Sequence, residues 1–266
     1  MRVVVLGTGL LGDALLKELA HRGHPHASLD HAAFDATGSI SKAAARLVQR
    51  GDLVINAAAM TNLDACEERR AEAMEVNGEE PGRLATLARE RGAKLLHVST
   101  DNVLDVVNVY AEAKALGEKR VREALGDEAL IVRVSTVFGP HPRRVDFVRF
   151  VVSALREKGE VTAITDMLSS PTYTPDAARA LLAAGLGGAK GTHAFVNEPC
   201  ISRYDWALDI QRAWGAPGVV KGAKMDDFKG WKARRPKGAI LHPTLGAWHE
   251  PMPLAECMRE YKALWP

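Results

Sequence analysis

Three glycines, Gly7, Gly9 and Gly12, stand between a short apolar run and an amphipathic stretch, and no other feature constrains this chain as much. The run Val3–Leu6 is apolar throughout, as a strand buried on both faces of a parallel sheet must be, and Leu10 to Arg22 carries apolar residues at helical spacing. Strand, tight glycine turn and helix in that order form a dinucleotide-binding fingerprint. Gly7 permits the turn, Gly9 lets the backbone approach a pyrophosphate, and Gly12 lets helix and strand pack closely. Free N–H groups at the helix start then face the anion.

The alternation continues. Strands are predicted at Val3–Leu6, His26–Leu29, Leu53–Asn56, Lys94–Val98 and Leu130–Val134, with helical patterns at Ser41–Gln49, Glu67–Val76 and Pro81–Arg91 between them. Repeated strand-helix-strand units imply an α/β chain with a Rossmann-type doubly wound parallel sheet. We expect residues 1–140 to form the dinucleotide-binding domain. Residues 141–266 form a mixed region that adds late strands and helices to the sheet and builds a smaller C-terminal substrate lobe. In that region helices are expected near Phe147–Glu157, from Pro175, and from a cap at Ser202 through Trp214, with strands near Val161–Ile164 and Thr192–Val196. Right-handed crossovers bring the carboxyl ends of the strands to one edge, where ligands bind. Asp30 ends the second strand, where an acid would bond an adenosine ribose, while His31 and Arg22 could accommodate a 2′-phosphate. Asp35 closes the next segment as a turn residue or an adenine contact.

Two further loops fall on the same edge. Asn56-Ala57-Ala58-Ala59-Met60-Thr61 follows a strand with three alanines, small enough for a flat cofactor to lie against the backbone. Ser99-Thr100-Asp101 follows the fourth strand, and Tyr110 with Lys114 comes shortly after, on one face of a helix running toward Leu125. The spacing has a chemical purpose: an ammonium close to a phenol lowers its pKa, so that Tyr110 could hand a proton to a ketone oxygen as hydride arrives. Thr100 would bond the same oxygen, and Lys114 could also hold a nicotinamide ribose.

These motifs in this order resemble the extended short-chain dehydrogenase/reductase family, and within it the reductases of the 4-keto group of nucleotide-linked deoxysugars. The matches are Gly7 to Gly12, Val54 to Thr61, Val76-Asn77-Gly78, His97 to Asp101, Tyr110 to Lys114 with Gly117-Glu118, Ile131-Val132-Arg133, Ser170-Pro171-Thr172 and Arg235-Pro236. The resemblance implies an NADP- or NAD-dependent enzyme with Thr100, Tyr110 and Lys114 catalytic. It implies cofactor contacts at Gly7, Gly9, Leu10, Leu11, Gly12, Asp30, Ala57, Ala58, Thr61 and Lys114, with Asn77 on a neighbouring helix, and a nucleotide-sugar substrate. The family usually has a longer stretch before the tyrosine, rich in aromatic and acidic residues, whereas Asn102 to Val109 is only eight residues here. Two other readings therefore stay open: epimerisation or dehydration of a nucleotide sugar, and a non-enzymatic cofactor-binding subunit like the regulatory subunit of methionine adenosyltransferase.

Composition excludes other classes. A net charge of +2 with scattered Lys and Arg argues against nucleic acid, and the densest group, Lys229 to Lys237, reads as a solvated face. Within it Arg234, Arg235 and Lys237 could instead meet a substrate pyrophosphate. Cys66, Cys200 and Cys257 are far apart, which fits a reducing compartment. With no signal-peptide pattern and no run long enough for a membrane span, we expect a cytoplasmic protein, and a homodimer is allowed. The histidines show no HExxH spacing, so no metal site is expected. Trp206, Trp214, Trp231 and Trp248 are assigned to packing.

Overall fold

Val3, Val4, Val5 and Leu6 have no accessible surface, and they pair with a strand on either side, which makes this run the axis of the sheet. The computed structural model describes residues 1–265, apart from the side chains of residues 35–37, so Asp35 lies outside the described residues. In chain order the first part runs β1 (Val3–Leu6), α1 (Leu10–His21), β2 (His26–Leu29), β3 (Leu53–Asn56), α2 (Leu63–Glu68), α3 (Glu80–Arg91), β4 (Lys94–Thr100), α4 (Val109–Leu125) and β5 (Leu130–Val134). The second part adds α5 (Phe147–Lys158), β6 (Glu160–Ile164), α6 (Thr174–Gly187), β7 (Gly191–Ala194), α7 (Arg203–Trp214), β8 (Val219–Ala223) and α8 (Leu254–Leu264).

Six parallel strands form the main sheet in the order β7-β5-β4-β3-β1-β2. The period of two in β1 divides its side chains between the two layers that cover the sheet. Val3 and Val5 join Leu15, Leu19, Ile55, Leu181 and Phe195 under α1 and α6, whereas Val4 and Leu6 join Val54, Leu84, Val121 and Ile131 under α3 and α4. Each such side chain, once buried, contributes about 1.5–3 kcal/mol. A separate core around Phe138, Tyr173, Trp206 and Tyr261 holds α5, α7, α8 and the β6–β8 pair together. Chain connectivity reverses direction across β1, with β2 on one side and β3 on the other, so the crevice beyond their carboxyl ends is a topological switch point.

Expected bounds hold at β1, β2, β3 and β5, shift by one or two residues at β4, β6 and β7, and two helical patterns break. The pattern over Ser41–Gln49 forms only Ile40–Ala45, capped by Ser39, whose Oγ accepts from Lys42 N–H. Asp52 takes the rest of that run out of helix, because its carboxylate accepts from Gln49 N–H at 2.8 Å and from Arg2 at 2.7 Å. The pattern over Glu67–Val76 breaks at Arg69 and resumes as Arg70–Ala73 and a π-helical turn, Met74–Glu79. The wide turn is held from outside: the Asn77 amide accepts from Met60 N–H and donates to Met60 C=O, both at 2.9 Å. Gly78 and Gly117 bring this turn against α4, where a Cβ on Gly117 would stand 2.3 Å from the Asn77 carbonyl oxygen. Asn77→Ala is expected to cost about 1–3 kcal/mol, because it strands the Met60 backbone groups. A melting curve checks this.

Candidate active site

The glycine turn has the shape that a pyrophosphate needs. Gly7 sits at φ +88°, and a Cβ there would lie 2.7 Å from Ala58 Cα, so the β1 and β3 exit loops touch through bare backbone. A Cβ on Gly12 would stand 1.9 Å from the Gly7 carbonyl oxygen. Gly9 is different: nothing lies within 4 Å of where its Cβ would be, and the space in front of it is open. Gly9 is also the N-cap of α1 and supplies no side-chain cap, so the first amides of α1, on Leu10, Leu11 and Gly12, have no intrahelical partner, the arrangement that suits an anion. The Leu11 side chain itself is in the main core, so only its backbone can serve. This cradle fits a dinucleotide.

The neighbouring residues divide. Ala57 and Ala58 lie half-buried beside the cradle, with Ala57 N–H bonded to Leu6 C=O at 2.9 Å, and Thr61 is exposed further along the same loop. Asp30 is exposed at the end of β2, where Oδ1 already accepts from Ala33 N–H at 3.1 Å.

At the carboxyl end of the next strand but one, β4 runs on to Thr100, two residues beyond expectation, and buries it there. There Thr100 donates to Asp101 Oδ1 at 2.8 Å and accepts from Asn102, rather than pointing freely at a ketone. Asn102 and Ser135 also donate to Asp101, so both carboxylate oxygens are engaged. Because a hydroxyl hydrogen rotates, Thr100 can still turn its proton to an arriving carbonyl. The short 102–109 stretch takes a 3-10 turn and then caps α4 through Asn108, whose Oδ1 accepts from Ala111 N–H at 2.8 Å. Glu67 accepts from Val109 N–H at 2.9 Å and Asn108 Nδ2 donates to Arg234 C=O at 2.8 Å, so the start of the helix that carries Tyr110 is fastened from two sides.

Tyr110 is buried against Cys66, Ala73, Met60 and Leu63. The expected acidification of its phenol is not found. Burial raises its pKa, the neighbouring Thr100 hydroxyl works against that rise, and the Asp101 charge adds to it. Lys114 is also buried and donates from Nζ to Val98 C=O at 2.7 Å. Desolvation brings its amine down to about 8, against the pull of Glu118 one turn further along α4. Glu118 is itself held by Arg133 at 2.8 and 2.7 Å and by Arg122 at 3.0 Å. The sequence spacing put the two groups on one face; desolvation dominates both pKa values, and around Tyr110 it involves Met60, Leu63, Cys66 and Ala73, far away in the chain.

Two cations of the late basic segment are engaged with acids, while Arg234 is exposed. Arg235 pairs with Asp64 at 3.1 Å and stacks over Trp231, and Lys237 lies 3.7 Å from Asp166 and 3.6 Å from Asp226. Trp206, Trp214 and Trp248 pack in cores, whereas Trp231 is 38% exposed and stacked on Phe228. Among the described residues no group of His, Cys, Asp or Glu could hold a metal ion, and no helix is long and apolar enough to cross a membrane. Sequence reasoning missed Ser135, Asn108 and Arg203. Arg203 did carry a signal, since a cation in the first turn of a helix opposes the helix dipole.

The family model described as RmlD substrate binding domain matches residues 1–248. A dTDP-4-dehydrorhamnose reductase from Mycobacterium tuberculosis is 35% identical over 236 residues, covering 81% of this chain and 76% of the relative. A dTDP-4-keto-6-deoxy-D-glucose reductase from Streptomyces niveus is 29% identical over 93% of this chain and 90% of its own length. The crystal structure of a dTDP-4-dehydrorhamnose reductase from Bacillus anthracis in complex with NADP superposes with a TM-score of 0.90 at 26% identity, covering 99% of each chain. That from Clostridium acetobutylicum superposes equally well, at 27% identity.

Proposed function

We infer the activity from one premise, that the chain belongs to the RmlD substrate binding domain family. It is an NAD(P)H-dependent oxidoreductase, NADP or NAD being its cofactor, that reduces the 4-keto group of a nucleotide-linked deoxysugar. One observation carries the assignment of residues: the glycine cradle beyond β1, the alanine loop beyond β3 and the Thr100, Tyr110 and Lys114 groups beyond β4 share one edge of one sheet. We take residues 1–140 as the cofactor-binding part and the remainder as the part that completes the sugar pocket. The enzyme is expected to work in the cytoplasm, and a homodimer is compatible with this reading.

Gly7, Gly9, Gly12 and the first amides of α1 would hold the pyrophosphate, Ala57, Ala58 and Thr61 would flank the cofactor, and Asp30 would meet the adenosine ribose. When bound, the nicotinamide supplies a hydride to the carbonyl carbon. The protein's part is to position the ketone and manage the proton. Burial keeps Tyr110 protonated across the working pH range, so the phenol is loaded as an acid, and the alkoxide formed by reduction is basic enough to take its proton. Thr100 would bond the same oxygen, and a charged Lys114 on the same helix would stabilise the phenolate that is left. Holding these groups in place lowers the barrier by orientation.

The direct test is oxidation of NADPH or NADH that depends on an added dTDP-4-dehydro-6-deoxy sugar. Cofactor binding without turnover on any keto-sugar nucleotide would remove the enzymatic reading. A pH profile tests the role of the amine. Because the Lys114 pKa is lowered to about 8, its ammonium is present below that value and lost above it. The expected kcat/KM is level below pH ~8 and falls as pH rises through it. A profile still level at pH ~10, near the unshifted lysine value, would take the charge on Lys114 out of the mechanism.

A further inference from the structure

We propose that Arg203 is a specificity-determining residue that binds an anionic oxygen group of the substrate, a phosphate or a carboxylate, beside the Asp101 cluster that holds Thr100. The proposal rests on the reductase reading above and names what the sugar pocket selects.

Arg203 opens α7 directly after its cap, Ser202, whose Oγ accepts from Asp205 N–H at 2.9 Å. Asp205 suits that first turn; a guanidinium does not, because the helix dipole presents its positive end there. The cation is nevertheless held in place. Nη2 donates to Thr136 Oγ1 at 2.6 Å, just past the end of β5, and the guanidinium carbon lies 4.7 Å from the Phe147 ring centroid and 5.6 Å from that of Trp206. Thr136 follows Ser135, which donates to Asp101, so the guanidinium sits beside the polar cluster that carries Thr100.

Its counter-charge is missing. Among the described residues no carboxylate approaches Arg203 within 4.0 Å, whereas Arg133, Arg122 and Arg235 are each paired with one. Asp101 is the acid whose charge reaches it, and both oxygens of Asp101 are already taken by Thr100, Asn102 and Ser135. Thr136 Oγ1 is the one side-chain acceptor that its N–H groups meet among the described residues. Burial lowers the guanidinium to about 10, which leaves it charged at neutral pH. A half-buried, charged planar fork with spare donors is under-satisfied until an anion with paired oxygens arrives. A bracing role alone would be served by the aromatic contacts without a charge.

The experiment compares wild type with Arg203→Gln and Arg203→Lys in NADPH-dependent reduction of a dTDP-4-dehydro-6-deoxy sugar and of a nucleotide-linked 4-keto hexuronate, in equilibrium binding of dTDP, and in thermal melting. Losing a hydrogen bond to a charged group should raise KM for the sugar nucleotide about 10- to 100-fold in Arg203→Gln, with KM for NADPH unchanged and partial recovery in Arg203→Lys. If dTDP binding weakens by the same factor, the anion is the diphosphate. If dTDP binding is unchanged but wild type prefers the hexuronate and Arg203→Gln does not, the anion is a carboxylate on the sugar. The proposal is overturned if both KM and dTDP affinity stay within about two-fold, or if NADPH affinity and melting temperature fall along with them in both variants. Should Arg203→Gln not fold, Arg203→Lys carries the test, since it keeps the charge but loses the fork. Wild type that binds dTDP through Arg203 without reducing any ketone would sink the reductase reading and leave this one standing; wild type that binds no nucleotide sinks both.

Discussion

Tyr110→Phe is expected to lower kcat by about 10²- to 10⁴-fold while leaving the protein folded and able to bind its cofactor. The ring of Tyr110 fills a small cluster with Cys66, Ala73, Val109, Met60 and Leu63, and Phe keeps all of those apolar contacts. What is lost is the hydroxyl, whose polar neighbour is Thr100. Because that hydroxyl is buried, water cannot easily replace it as a proton source, which is why the loss should be large. The glycine cradle is built from other elements, so the affinity for NADPH should change by less than about two-fold, well under the ~1.4 kcal/mol that a ten-fold loss would represent. Single-turnover reduction with the sugar nucleotide, together with a melting curve, separates the outcomes. A fall of less than about ten-fold would mean that the proton comes from another group, and general-acid chemistry by the phenol would have to be abandoned.

Three strands of this sheet, β1, β3 and β5, were readable because each is a short run dominated by Val, Ile and Leu between turn residues. They and β2 begin and end where expected, although β2, His26-Ala27-Ser28-Leu29, carries a single large apolar residue. The glycine turn was equally plain, since the demands it meets are local: a positive φ at Gly7 and the approach of Gly12 to the turn it follows. Helices fared worse wherever a distant residue decides the outcome. The run around Glu67–Val76 has helical spacing, yet the Met60 backbone and the face of α4 turn its end into a π-helix. The same limit applies to the chemistry. A tyrosine and a lysine four residues apart announce themselves, but the sign of the shift in the phenol depends on burial by Cys66 and its neighbours and on the Asp101 charge, none of which is adjacent in sequence. Arg203 lies about seventy residues past Ser135 and its place beside Asp101 is a consequence of how α7 docks, so only its awkward position at a helix start hinted at a role.

The three glycines of the first turn make a sharper test than any one of them alone, because the structure gives them different surroundings. Gly12→Ala is expected to be the most disruptive: its Cβ would fall 1.9 Å from the Gly7 carbonyl oxygen and 2.9 Å from the Gly7 carbonyl carbon, and both are backbone. Relief requires α1 to move off β1, at a cost of about 3 kcal/mol, the upper end of ordinary overpacking. The same movement withdraws the first-turn amides from the pyrophosphate, so NADPH affinity should drop by at least about 100-fold. Gly9→Ala is its counterpart. Gly9 has φ −73°, which any residue tolerates, and its Cβ meets nothing within 4 Å, so the melting temperature should not move. If the open space before Gly9 is where the phosphates lie, that methyl group nevertheless enters it, and NADPH binding weakens in a protein of unaltered stability. Isothermal titration and melting curves on the two variants decide the matter. Should Gly9→Ala bind NADPH as tightly as wild type, the pyrophosphate does not approach this backbone and the cradle has been assigned to the wrong ligand; should Gly12→Ala melt normally, helix and turn are not in the contact described here.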